Sequence, residues 1–483
     1  MDYVESEVLL SSNSRSDVSK YDYQVVGRKT PRRFWFGLVI ILLTNISLSI
    51  VSLTIWPYLS LNVESIYILA ISISVFHGGA SLGKKLFTMV GERYENYWTQ
   101  LILALSIAMM GDILYAAFPQ QFLIIVARFI VGIGSGSSVI LQSMLVPKGS
   151  DHTTQVNRLT WMSLTTSLAY VAGPALVAAV SLLNINDTVN LYHDSGTVAF
   201  FGWLASFFTF IALVLASVGK VIDKSQHKSI DNDIFGSIND IQPIGTGYRS
   251  QQSCIFPPKV TLTIMCFIHY LIFNCGTILE TVLIPDLINV GGYSTYNWNL
   301  TKVAMLFVGL GVSCGVAAYL SKRIQSNNLL LYISMILFTL GYAFMCSWKF
   351  QQQQTTGSQS PSAPDIVRFL LGVIMVAIAY PTAIASSITL FFELISTVYI
   401  KKASNMFLFA SNFGRLLGPL WAVLIFERIG DNAVYVYGVC AGLVSLILLL
   451  SIGRSFKFIS TNSNIQRNVP ILNVDDEDDG VFR

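Results

Sequence analysis

The sequence predicts an all-α integral membrane protein: twelve transmembrane helices arranged as two pseudo-symmetric six-helix bundles. Three observations lead there. Of the 483 residues, 53% are hydrophobic and only 12% are charged, about half the charge of an ordinary soluble domain. The apolar residues gather into twelve windows, each near the roughly 20 residues that a helix needs to cross a bilayer. Short signatures in the first six windows return in the last six at nearly one offset. So little charge cannot solvate the surface of a soluble protein of this size, which excludes a soluble enzyme. A net charge of +3 gives no ground for a nucleic-acid partner.

Residues 1–33 are polar and charged, with none of the short apolar core and small-residue cleavage site of a secretory signal. They read as a cytosolic tail. Spans follow at 34–55, 66–90, 98–117, 121–146, 159–183 and 198–219, then at 260–284, 301–320, 328–348, 366–392, 404–426 and 433–453. In hydrocarbon each backbone donor and acceptor must be satisfied within its own segment, so the windows are helices. The organisation expected is a tail (1–33), a six-helix bundle (34–219), a polar cytosolic linker (220–259), a second bundle (260–453) and a cytosolic tail (454–483). The repeat is visible in Ala127-Arg128-Phe129-Ile130-Val131-Gly132 against Val367-Arg368-Phe369-Leu370-Leu371-Gly372, and in Gly173-Pro174 against Gly418-Pro419.

Twenty-four of the 30 basic residues fall on the side that holds both termini, and four on the other. That bias makes the terminus side cytosolic. The remaining two, Arg128 and Arg415, lie within spans. The sequons at Asn186 and Asn299 fall in loops on the opposite, lumenal or outer, side and are candidate glycosylation sites, whereas Asn45 lies inside the first span. The six cysteines lack metal-ligand or disulfide spacing and read as small packing residues; no metal or cofactor is expected.

Charge inside the membrane marks the candidate sites. A charged side chain near the bilayer centre costs roughly 2.5–3.5 kcal/mol on insertion scales, so Arg128 and Arg415 should face the bundle interior or a wet cavity. Each has two readings: an anion or coupling site, or an arginine holding helices together. Glu280, late in the seventh span, is a candidate proton site, or the partner of an arginine across the cavity. Two arginines against one glutamate favour an anionic substrate. Gly132 and Gly136 share a face with Arg128 and admit a close neighbouring helix; Gly173, Pro174, Gly418 and Pro419 read as packing or gating positions. Tyr380-Pro381 predicts a local break in the tenth span, with a hinge or binding role. Asp112, His77 and His269 read as packing or satisfied polar residues, and Trp56-Pro57-Tyr58 as an interfacial anchor. In the N-terminal tail, Glu5-x-x-x-Leu9-Leu10 has the pattern of an acidic dileucine sorting signal, which clathrin adaptors would read; Tyr23-Gln24-Val25-Val26 is a tyrosine-based equivalent.

Arg128 followed by its glycine-rich run, with Gly-Pro in the fifth span, resembles the major facilitator superfamily. Ile55-Trp56-Pro57-Tyr58-Leu59, Leu279-Glu280-Thr281 leading to Pro285, Tyr380-Pro381 and Gly414-Arg415-Leu416-Leu417-Gly418-Pro419 resemble, more narrowly, a lysosomal branch of it associated with ceroid lipofuscinosis. The glycine- and arginine-rich loop between spans two and three departs from the superfamily pattern, reading Met89-Val90-Gly91-Glu92-Arg93. The resemblance implies the major facilitator fold, with the tenth span lining the cavity, and a lysosomal or endosomal multi-pass carrier. It would move a small, anionic solute by alternating access, coupled to protons, and not act as an enzyme. Two other readings stay open on the sequence: an endolysosomal anion (chloride) channel, and a membrane scaffold without transport of its own.

Overall fold

A computed structural model describes residues 31–60, 65–93, 96–146, 152–183, 195–230, 258–288, 295–321, 327–347, 362–394 and 400–468. Twelve helical spans long and apolar enough to cross a membrane run through these segments, from Arg33–Ser60 to Asn432–Ile452. The sorting residues Glu5, Leu9 and Leu10 and the sequon at Asn186 lie outside them.

The pairing of helices carries the two-fold repeat. In the first six spans, one packs on five and six, two on four, three on four and six. In the last six, seven packs on eleven and twelve, eight on ten, nine on ten and twelve. Each of these contacts in the first half has its counterpart six spans later. The halves then join chiefly through two pairs, two against eleven and five against eight, themselves related by the same exchange, with smaller contacts of spans one and two on seven.

The buried core divides unequally across the bilayer. One cluster joins the halves on the face opposite the chain ends, from Leu53, Ile66 and Leu69 to Leu283, Leu287 and Val303, and continues through the second half to Leu331, Phe391 and Leu449 on the terminus side. Toward the face from which the first helix starts, the first half keeps a separate cluster built on Leu38, Ile40, Leu101, Leu141 and Ala212. Arg33 pairs there with Asp223, tying the first span to the sixth. Arg158 donates to the Leu145 carbonyl at 2.8 Å, a cation on the open carbonyls at a helix C-terminus.

Three local expectations are revised. The fourth span is two helices, Gln121–Gly134 and Ser137–Leu145. Between them Ser135, Gly136, Ser138 and Val139 each donate to the carbonyl three residues back, the tighter 3₁₀ pattern. The Gly134-Ser135-Gly136 run, weak in helix propensity, is where it falls. The tenth span does not break at Pro381: the helix Ala363–Leu394 runs through it. Proline frees the carbonyl four residues back, here that of Ala377, and the Cys314 thiol from the eighth span donates to it at 3.2 Å. Finally, Trp56 and Tyr58 are 0% and 1% exposed. They are core residues where the sequence suggested an anchor, because the end of the first span is enclosed where the two halves meet.

Candidate functional site

The seventh span sets one face toward the junction of the halves. Phe273, Gly276 and Glu280 recur at the spacing that keeps side chains on one side of a helix, and His269 precedes them by one further turn. Between them they meet spans two, ten and eleven. The His269 Nδ1 lies 3.0 Å from the Ser387 Oγ of span ten, with its ring stacked on Phe407 of span eleven at 3.7 Å. The Phe273 ring lies under the Arg415 guanidinium, 4.2 Å from centroid to carbon. Gly276 leaves the gap into which the Tyr380 ring is set; a methyl there would come within 2.5 Å of its Cζ. The Glu280 carboxylate reaches His77 of span two, 3.7 Å from its Nε2.

Arg128 enters from the fourth span. It is 2% exposed, its guanidinium carbon 4.3 Å above the Phe76 ring, and its Nε meets no acceptor among the described residues. Small residues make this closeness possible: a Cβ on Gly132 would collide with the Phe76 carbonyl, and one on Gly136 would lie 2.6 Å from Gly83. Phe76 and His77 are adjacent in sequence, so span two puts one side chain under its own half's arginine and the next on the other half's glutamate.

The sequence-predicted charges therefore converge. Arg128, Arg415 and His77 all act electrostatically on Glu280. Yet among the described residues no carboxylate comes within 4.0 Å of either guanidinium. The arginines lie on rings, not on counter-ions, and Glu280, with 37% of its side chain exposed, has His77 as its ion-pair partner among the described residues. They occupy two layers. Arg128 and Glu280 each lie seven residues, about 10 Å, from the ends of their helices on the face away from the chain ends; Arg415 lies about 20 Å from that end.

Tyr380 lies beside Arg415. Tyr170 of span five was not singled out by the sequence, because a tyrosine inside a span costs little and leaves no charge signature. It stands within electrostatic reach of Glu280, Arg415 and Tyr380 and is 40% exposed. A tyrosine so placed, exposed yet within range of the interior charges, brings span five to the junction of the halves.

The remaining predicted residues pack. Gly173 abuts Ser49 of the first span, and Gly418 abuts Thr277 and the Asn274 carbonyl of the seventh, a Cβ there falling 2.7 Å from the latter. Pro174 and Pro419 are buried within their helices. Asp112 is 3% exposed and accepts from Thr209 at 2.7 Å and Ser47 at 3.3 Å, joining spans one, three and six within electrostatic range of Arg128 but not in contact with it. Asn299 is exposed, and its Oδ1 accepts from the Lys302 backbone N–H at 3.0 Å, capping the eighth span.

Twelve spans in two exchangeable bundles, with charged side chains gathered where the bundles meet, define the class of membrane transporters built from repeats. The chain belongs to the Major Facilitator Superfamily, whose pattern matches residues 34–419. It is similar to "Major facilitator superfamily domain-containing protein 8" of Xenopus laevis, 20% identical, over 86% of this chain and 90% of that protein. Among solved structures, the nucleoside transporter NupG shares its fold with a TM-score of 0.59 at 12% identity, over 88% of this chain and all of that one. The human organic anion transporter MFSD10 gives 0.52 at 13% identity, over 87% of this chain and all of that one.

Proposed function

We propose that this chain is a carrier of the endolysosomal membrane that moves a small anionic solute by alternating access, with Glu280 as the proton-coupling group. One observation carries the reading: Arg128 and Arg415 stand at the junction of the halves without a carboxylate in contact. Two guanidiniums cannot be kept in a low-dielectric interior for packing alone at small cost; an anionic passenger supplies the missing counter-charge. Glu280 is near enough to sense both arginines and open enough to exchange a proton with water in the cavity.

The unequal core supports a carrier over a channel. The first half joins the shared cluster only through its far-face residues, and its terminus-side residues form a cluster apart from the second half, as in a carrier with its cavity open on one side. With the basic residues placed as they are, that side is the cytosol and the closed side the lumen. The endolysosomal membrane is supported by the acidic dileucine pattern at Glu5, Leu9 and Leu10, which clathrin adaptors would recognise.

Reconstitution into liposomes tests the reading. Uptake of labelled organic anions should saturate and respond to an imposed pH gradient. Removing the charge-assisted contact with Arg415→Ala should lower kcat/KM by roughly tenfold to a hundredfold. Unchanged uptake in both Arg128→Ala and Arg415→Ala removes the site assignment. An anion current that does not saturate identifies a channel.

A further inference from the structure

The two arginines are not equally available. Arg128 is sealed at 2% exposure, whereas Arg415 is only partly buried, with the Tyr380 phenol of its own half beside it and Tyr170 of the other half within electrostatic range. From this geometry we propose that the cavity floor is a subsite for an organic anion carrying an aromatic ring. Arg415 takes the anionic group, and Tyr170 and Tyr380 flank the ring. This rests on the anion-carrier reading and names the class of its solute.

Three features of the floor fit a ring and not a bare inorganic ion. First, Tyr170 is 40% exposed although it stands within electrostatic range of Glu280 and Arg415. A chloride-sized ligand would leave that aromatic surface wet, while a ring would cover it. Second, Tyr380 is fixed before any ligand arrives. It is set into the gap at Gly276 and edge-on to Phe273 at 6.1 Å, so its ordering costs nothing further on binding. Third, Phe273 is already occupied by the guanidinium at 4.2 Å, which holds the cation in place and leaves the phenols as the free walls. Glu280 nearby repels a second negative group, so the ligand carries one anionic centre beside its ring.

The test uses the full-length purified chain in lipid nanodiscs, with benzoate, acetate and chloride as probes at matched ionic strength. Benzoate should bind at least about fivefold more tightly than acetate, the ratio expected from one or two aromatic contacts, and chloride should compete more weakly than either. Tyr170→Leu should abolish the preference and leave acetate binding within about twofold, whereas Tyr170→Phe, which keeps the ring, should retain it. Arg415→Gln should abolish binding of all three. Thermal unfolding of each variant shows whether it has folded, and the phenylalanine variant keeps the test decisive should the leucine variant fail to fold. Benzoate binding no tighter than acetate or chloride, or a preference that persists without the Tyr170 ring, overturns the aromatic class while an Arg415-dependent anion site stands. Absence of any anion binding, with Arg415→Gln indistinguishable from the parent, overturns the carrier reading beneath it.

Discussion

Asp112 and Arg128 are both charged side chains at most 3% exposed inside the first bundle, and their partners separate their roles. Asp112 is met on one carboxylate oxygen by two hydroxyls, Thr209 and Ser47, and both bonds join helices. Removing one donor leaves a buried carboxylate short of a partner, at about 1–3 kcal/mol. Thr209→Val should therefore lower the thermal unfolding midpoint in detergent and leave the KM for transport unchanged; a large change in KM would move Asp112 into the transport site. Arg128 has a ring beneath it and an Nε without an acceptor among the described residues, so Arg128→Gln should reduce transport more than it reduces the unfolding midpoint. The charges were legible in the sequence because a charge in hydrocarbon needs a reason. Tyr170 was not, since a tyrosine is at home in a span; its exposure among the interior charges became visible only once span five was packed against spans one and eight.

Proline does not break helices here; the neighbouring helix meets what it leaves behind. Pro381 frees the Ala377 carbonyl, and Cys314 of span eight donates to it. Pro174 frees the Tyr170 carbonyl in the same way, and Gly311, also of span eight, lies so close that a Cβ there would sit 2.8 Å from that oxygen. Span eight thus accommodates a proline-freed carbonyl on each side, one from each half. Gly311→Val should force spans five and eight apart, with a loss of about 1–3 kcal/mol typical of overpacking, read as a lowered thermal midpoint; Gly309→Ala, where a Cβ meets nothing within 4 Å, should be silent. A midpoint unmoved by Gly311→Val would show that the two halves are not held at this contact. The sequence located these prolines and the Gly-Pro repeat. It could not show that Pro381 leaves its helix intact, because the compensating donor is 67 residues away in the chain.

At the scale of the molecule, the twelve spans and their repeat were legible from hydropathy and two short signatures, but which end of the bundle is closed was not, since that depends on contacts between halves. On the closed face the two halves meet in apolar packing, with Tyr67 of span two facing Glu427 and Arg428 of span eleven. Deeper in, the polar contact across the halves is His77 to Glu280. If alternating access is the mechanism, that contact belongs to this arrangement and must part in the other. Neutralising either partner should then favour the state closed toward the chain ends. Spin labels at Leu86 and Phe409, both exposed near the terminus-side ends of spans two and eleven, report the opening as a distance. Glu280→Gln and His77→Phe should each raise the short-distance population, and because the two residues share one interaction, the double variant should shift it no further than the larger single change. Distances that ignore both substitutions, or that add fully in the double variant, would mean the histidine is packed beside the carboxylate without holding the halves together.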